Sequence, residues 1–256
     1  MGRRPAALAS LYVDRVSRVH RLAPQCKLVA TILFVLAVVA TPREAFWAFA
    51  VDAGLVVAVA MRARVPLVRV ARRLMLGLPF VAFVVLLPVV ARGERVDVAG
   101  LPLSVGGLWA AWNVLVKATL GVAATIVFTA TTPVPSILHG LERLRLPKVF
   151  VSICSFMVRY ADVITAELHR LRVARESRCH DPRWIWQGRA VAATAGTLFV
   201  RSYERGERVY LAMLSRGYEG MMPVLDRRRA GRTEWTMALA LPVVAGAVAV
   251  SAWLVR

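Results

Sequence analysis

Two arginine signatures and two ionisable residues inside apolar runs are where this sequence could do chemistry. Ser177-Arg178-Cys179 closes the run AELHRLRVARESRCHD, and Ser215-Arg216-Gly217 closes ERVYLAMLSRGYEG. A planar guanidinium stays protonated when partly buried and makes bidentate, charge-assisted contacts with carboxylates, and beside a helix stop it projects from the tip near the negative end of the helix dipole. Gly217 can stop a helix because it enters the left-handed region without steric penalty. A solvated basic helix end is the plain alternative for either signature alone, and two on successive helices are harder to dismiss. Asp52 and Lys117 lie deep in otherwise uncharged stretches. Ionisable residues in such places face a bundle interior and often mark a transport path. Counted from Ala45 and Gly106 at 1.5 Å per residue, their depths differ by about 6 Å, within a lysine's reach. A structural ion pair is therefore placed ahead of a pathway, with Asn113, one turn from Lys117, as a further member.

Other chemistry is weakly signalled. His20, His139, His169 and His180 are scattered, and the adjacent Cys179 and His180 would diverge on a helix, whereas chelation wants ligands three or four apart. These are read as interface or surface residues, with no metal site and no cofactor expected. Cys26, Cys154 and Cys179 have neither disulfide-framework nor zinc spacing and are expected to be free thiols. The chain contains no G-x-x-x-x-G-K-[ST] loop and no nucleophile elbow, so no ATPase or hydrolase activity of its own is expected.

The elements that must position these residues are apolar. Of 256 residues, 58% are hydrophobic, yet 34 Lys plus Arg face 15 Asp plus Glu, a net charge of +19. That combination excludes disorder and fits poorly with a nucleic-acid binder, which would gather its charge on one polar face. Runs near the length a bilayer requires occur at Leu28 to Thr41, Ala45 to Met61, Leu74 to Ala91, Gly106 to about Thr131 and Trp235 to Val255. Pro79 and Pro88 predict kinks in the third. Lys27 would complete the first by snorkelling to the interface. The first 27 residues carry six basic side chains and no apolar stretch, so no cleaved secretory signal is expected there.

Loop charges give the expected orientation. Arg62, Arg64, Arg69, Arg72 and Arg73 join spans two and three without an acid, whereas Arg43 stands beside Glu44, and Arg92 and Arg95 are matched by Glu94 and Asp97. The positive-inside rule then puts the N-terminus in the cytoplasm and the C-terminus outside. The expected architecture is an all-α, multi-pass protein of the cell membrane: a membrane domain of four spans at 1–131, a cytoplasmic domain of amphipathic helices at 132–233, and a C-terminal span at 234–256. The middle segment holds 18 basic and 9 acidic residues. In it, Met157, Ala161, Ile164, Leu168 and Leu171 recur at helical spacing, as do Phe199, Tyr203, Gly206, Tyr210 and Met213, marking two buried stripes. A shorter amphipathic segment runs from Ile137 to Leu146. No strand pattern is expected anywhere.

The blocks HRLAPQCKL from His20, TTPVPSILHGLERLRLP from Thr131, FMVRY from Phe156 and LFVRSYERGERVYLAMLSRGY from Leu198 resemble the transmembrane T component of energy-coupling-factor transporters, the CbiQ family, with the last block similar to its cobalt branch. In such proteins two Ala-Arg-Gly-like signatures on crossed coupling helices dock into grooves on two ATPase subunits. The resemblance carries that role to Arg178 and Arg216. The chain departs from the pattern in having Ser177 and Ser215 for alanine and Cys179 for glycine. The function implied is a non-enzymatic coupling subunit that transmits ATPase motion to a substrate-binding membrane subunit. Cobalt is the implied cargo, with nickel or a vitamin as alternatives. The rival is a stand-alone secondary transporter or channel lined by Asp52 and Lys117, which lacks the support of inverted halves.

Overall fold

The computed structural model describes residues 12, 15, 17–91, 95–98, 101–178, 188–220 and 230–255. It is almost wholly helical. A single turn, α1 (Arg18–Arg21), is capped by Ser17, whose Oγ accepts from the His20 amide. It leads into α2 (Pro24–Ala40), which opens on a proline where a missing N–H costs nothing. Then come α3 (Phe46–Arg62), α4 (Leu67–Leu74), a 3₁₀ turn at Met75–Gly77 and α5 (Leu78–Val90). After them follow α6 (Val105–Thr131), α7 (Val134–Arg143), α8 (Lys148–Glu176), α9 (Gly188–Leu214) and α10 (Arg232–Leu254).

Two features between α3 and α6 differ from the sequence expectation. Arg95–Val98 (β1) and Leu101–Ser104 (β2) pair as a short antiparallel hairpin, Arg95 opposite Ser104, although no strand pattern was expected. Each strand has the shortest length at which alternation counts, and Pro102 interrupts it in the second. The third apolar run is also not one kinked span. Pro79 sits in the first turn of α5, where proline begins a helix, and the chain before it turns through the 3₁₀ segment into the separate α4. The remaining helix is about 20 Å long, short of a bilayer core.

By length and composition α6, α8 and α10 can each cross a membrane, and α2 and Phe80–Val90 are shorter apolar helices. The protein is an all-α, multi-pass membrane protein. Its contacts divide it into a unit of Met1–Leu144 with Arg228–Arg256, and a second of Arg145–Arg227.

The first unit is built around α2. Cys26, Ala30, Phe34 and Val38, four apart, are buried on one face. Against that helix lies α10, whose buried positions Ala238, Pro242, Ala245, Ala249 and Ala252 alternate in steps of three and four. Small side chains let helix backbones approach closely, which matters where lipid supplies no hydrophobic drive between helices. Gly107 does the same between α5 and α6: a Cβ there would stand 2.7 Å from the Pro88 Cα. Gly140 of α7 lies on the start of α2, a Cβ meeting the Gln25 nitrogen at 3.1 Å, so α7 is grouped with the bundle. The outward faces remain apolar: Leu36, Phe83, Val90, Val243 and Val250 are all more than half exposed. That pattern suits lipid as the surrounding solvent.

The second unit is α8 and α9. The stripes expected to be buried are largely open: Met157 and Leu168 on α8, and Phe199, Tyr203 and Tyr210 on α9, are exposed. Periodicity identifies residues that share a face; it does not supply what covers the face. The first half of α8 is apolar enough to rank with the spans, although no span was expected between residues 132 and 233, because its few charges are diluted over eighteen residues.

Candidate functional site

The second unit positions both arginine signatures. Near their middles α8 and α9 meet, where Arg201 donates to Glu167 Oε1 and Arg170 Nε donates to Glu167 Oε2 at 3.1 Å. Val163 and Ile164 of α8 and Ser202 and Arg205 of α9 line the same contact. At 1.5 Å per residue, Arg178 lies about 16 Å along its helix from this contact and Arg216 about 22 Å. Each therefore sits at the free end of an arm.

Both tips carry a serine that caps the helix end through its amide and its Oγ. At the end of α9 the Gly217 amide donates to the Leu214 carbonyl at 3.0 Å and the Tyr218 amide to Met213 at 3.1 Å, with Gly217 at φ +77°. This is a Schellman stop, which needs the left-handed residue glycine provides. The Ser215 amide takes the Leu211 carbonyl at 3.0 Å and its Oγ the Ala212 carbonyl at 3.0 Å. All four terminal carbonyls are thus satisfied from the backbone and a serine, leaving the Arg216 side chain free for another molecule. At the end of α8 the Ser177 amide donates to Val173 at 2.9 Å, its Oγ to Ala174 at 3.0 Å, and the Arg178 amide to Arg175 at 3.1 Å. Serine in place of alanine gives each tip one extra bond to an orphan carbonyl. Ser177, Arg178, Ser215, Arg216 and Gly217 are all exposed. Cys179 and His180 lie outside the described residues.

The structure does not bring Asp52 and Lys117 together. Asp52 is fully buried, and neither carboxylate oxygen has a hydrogen-bond partner among the described residues. Lys117 Nζ instead donates to the Val39 carbonyl at 2.7 Å. Asn113 Oδ1, expected in the same cluster, is buried with no partner among the described residues. The physical reason is that α2 ends with orphan carbonyls at the negative end of its dipole, an acceptor for the ammonium that counting residues into the membrane could not reveal. Every one of those carbonyls is met. Thr41 takes Ala37 and Val38 through its amide at 3.1 and 3.3 Å, Lys117 takes Val39, and Trp253 Nε1 takes Ala40 at 2.9 Å.

Lys27 repeats the device in the opposite direction. Rather than snorkelling, it is only 8% exposed and donates to the carbonyl of Thr131, the last residue of α6, at 3.1 Å, with the His20 carbonyl at 3.5 Å. So α2 and α6 each lend a lysine to the other's C-terminal end. The signal for this was a lysine beside an apolar run too short to reach the interface; the partner carbonyls carry no mark in the sequence. Among the described residues no three His, Cys, Asp or Glu side chains gather as a metal site.

Comparison with known proteins adds a family. Residues 15–225 match the model of CbiQ, described as cobalt transport protein. The putative fused cobalt transport protein CbiMQ of Methanocorpusculum labreanum is 29% identical over 43% of this chain and 18% of its own length. The cobalt transport protein CbiQ of Rhodobacter capsulatus is 26% identical over 51% of this chain and 54% of its own. The nickel permease LarQ of Lactiplantibacillus plantarum is 29% identical over 49% of this chain and 44% of its own. The chain therefore spans about half or less of the curated relatives it matches.

Proposed function

Because the chain belongs to the CbiQ family of cobalt transport proteins, we propose that it is the membrane coupling subunit of an ATP-driven importer of the energy-coupling-factor type. It receives motion from two ATP-binding-cassette subunits and passes it to a separate substrate-binding membrane subunit. The observation that carries this is the pair of arginine tips: two helices joined at their middles, each ending in an exposed arginine whose side chain is not used in capping the helix end. An arm of that form suits a carboxylate-bearing groove on a partner, one tip per ATPase. Closure of the ATPases on ATP would move the arms relative to each other, and the open apolar faces of α8 and α9 would transmit the change to the membrane partner. The chain itself carries no chemistry in this scheme.

Cobalt is the favoured cargo, from the relatives named for cobalt transport. Nickel is the alternative, from the relative named a nickel permease. A pathway through Asp52 is disfavoured, because a residue that lines a path must meet water or cargo and Asp52 is fully enclosed. The proposed topology places the N-terminus, α7, α8 and α9 in the cytoplasm and the end of α10 outside, following the arginine-rich segments.

The test is copurification. Arg216→Ala removes one set of charge-assisted contacts of about 1.5–3 kcal/mol, so ATPase capture should fall by one to two orders of magnitude. Arg178→Ala should do the same, and the double variant should lose the ATPases. Arg208, exposed on α9 before the tip, is the control. Equal effects at Arg208 and Arg216 would refute the docking role.

A further inference from the structure

From the segment between α3 and α5, which nothing in the coupling role requires, we infer that α4 is a docking face for anionic phospholipid headgroups. The helix is amphipathic in an unusual way. Val70 is buried on the first unit, which α4 meets through α6. On the far side Val68 is 80% exposed, and Arg72 and Arg69, both exposed, lie next to it around the helix. An exposed valine among arginines is unfavourable in water and favourable at a headgroup boundary, where the apolar side chain enters the acyl region and the guanidinium groups meet phosphate.

The turn that delivers α4 points the same way. α3 ends in a Schellman stop, the Arg64 amide donating to Met61 at 2.9 Å and the Val65 amide to Ala60 at 2.9 Å. Its left-handed position is filled by Arg64, at φ +55°, where glycine would sit without strain. A strained backbone at a non-glycine residue points to a use for the side chain, and this one is exposed, as is Arg62 at the end of α3. Four exposed arginines thus lie within eleven residues at one end of the bundle, and the sequence holds no acid between Asp52 and Glu94 to neutralise them. Both neighbouring helices are apolar and belong to the membrane unit, so the face cannot be far from the bilayer. Charge complementarity selects anionic lipid, because zwitterionic headgroups offer no net charge to this surface.

The experiment uses the full chain, with Cys154 and Cys179 replaced by serine and Val68→Cys carrying an environment-sensitive fluorophore, in nanodiscs of phosphatidylcholine and phosphatidylglycerol. Quenching by brominated-acyl phosphatidylglycerol should exceed that by brominated-acyl phosphatidylcholine. The preference should fall by about fivefold for each arginine removed in Arg69→Gln and Arg72→Gln, and should decline with salt. Arg69→Lys with Arg72→Lys should keep it, which separates charge from misfolding. Arg205→Gln with Arg208→Gln, in the second unit, should leave it unchanged. Equal quenching by both lipids, no quenching by either, or equal losses in the two glutamine pairs would each overturn the assignment.

Discussion

Replacing Lys117 and Asp52 singly and together tests the bundle interior most directly. In the structure Lys117 makes one charge-assisted hydrogen bond, 2.7 Å to the Val39 carbonyl. Such a bond is worth about 1.5–3 kcal/mol, and a cation at the negative end of a helix adds about 0.3–1 kcal/mol. Lys117→Met should therefore destabilise by about 2–4 kcal/mol. Asp52→Asn should change stability by less than about 1 kcal/mol, on the favourable side, because it replaces a buried carboxyl that no donor meets with a group that never has to be charged. If the two residues are independent, the double variant should equal the sum of the singles within about 0.3–0.5 kcal/mol. An ion pair makes the opposite demand: each single would cost about 3–5 kcal/mol and the double far less. Equilibrium unfolding of the purified chain in bicelles, followed by tryptophan fluorescence, reads all four corners of the cycle. Rescue of Lys117→Met by Asp52→Asn would refute the helix-capping account.

Other outcomes follow from the same contacts. Lys27→Met strands the Thr131 carbonyl and should lower stability by about 1.5–3 kcal/mol in the same unfolding assay; a neutral result would mean that Lys27 does not cap α6. Gly107→Ala would set a Cβ 2.7 Å from the Pro88 Cα and 2.9 Å from the Leu87 carbonyl, backbone that cannot swing aside, and should destabilise by about 1–3 kcal/mol or more. Gly106→Ala, whose nearest neighbour is Ser104 Oγ at 3.9 Å, should be tolerated, with a change smaller than the roughly 0.5–1 kcal/mol gain expected in a helix interior because it lies in the first turn of α6. In intact cells an impermeant thiol reagent should label Arg43→Cys and spare Arg205→Cys, and the reverse pattern would invert the proposed topology.

The sequence by itself determined where most of the apolar helices form, because burying a backbone in lipid demands long uncharged runs, although of the expected spans only α6 and α10 have spanning length among the described residues and α8, not expected to span, has it too. Four of the five expected runs became helices within a few residues of their expected bounds, and Gly217 stops α9 where its conformational freedom pointed. The arginine signatures were legible for the same local reason, since a helix end and the residue beside it are set by near neighbours. Only the tertiary structure decided which polar groups meet. Asp52 and Lys117 looked like partners on a scale of depth, but the orientation of each helix about its own axis sent the lysine to the end of α2 and left the carboxyl enclosed. Carbonyl acceptors at helix ends belong to every residue type alike, so the exchange of lysines between α2 and α6 left no pattern to read. The same holds for the stripes on α8 and α9, whose spacing identified a shared face while the tertiary contacts left that face open.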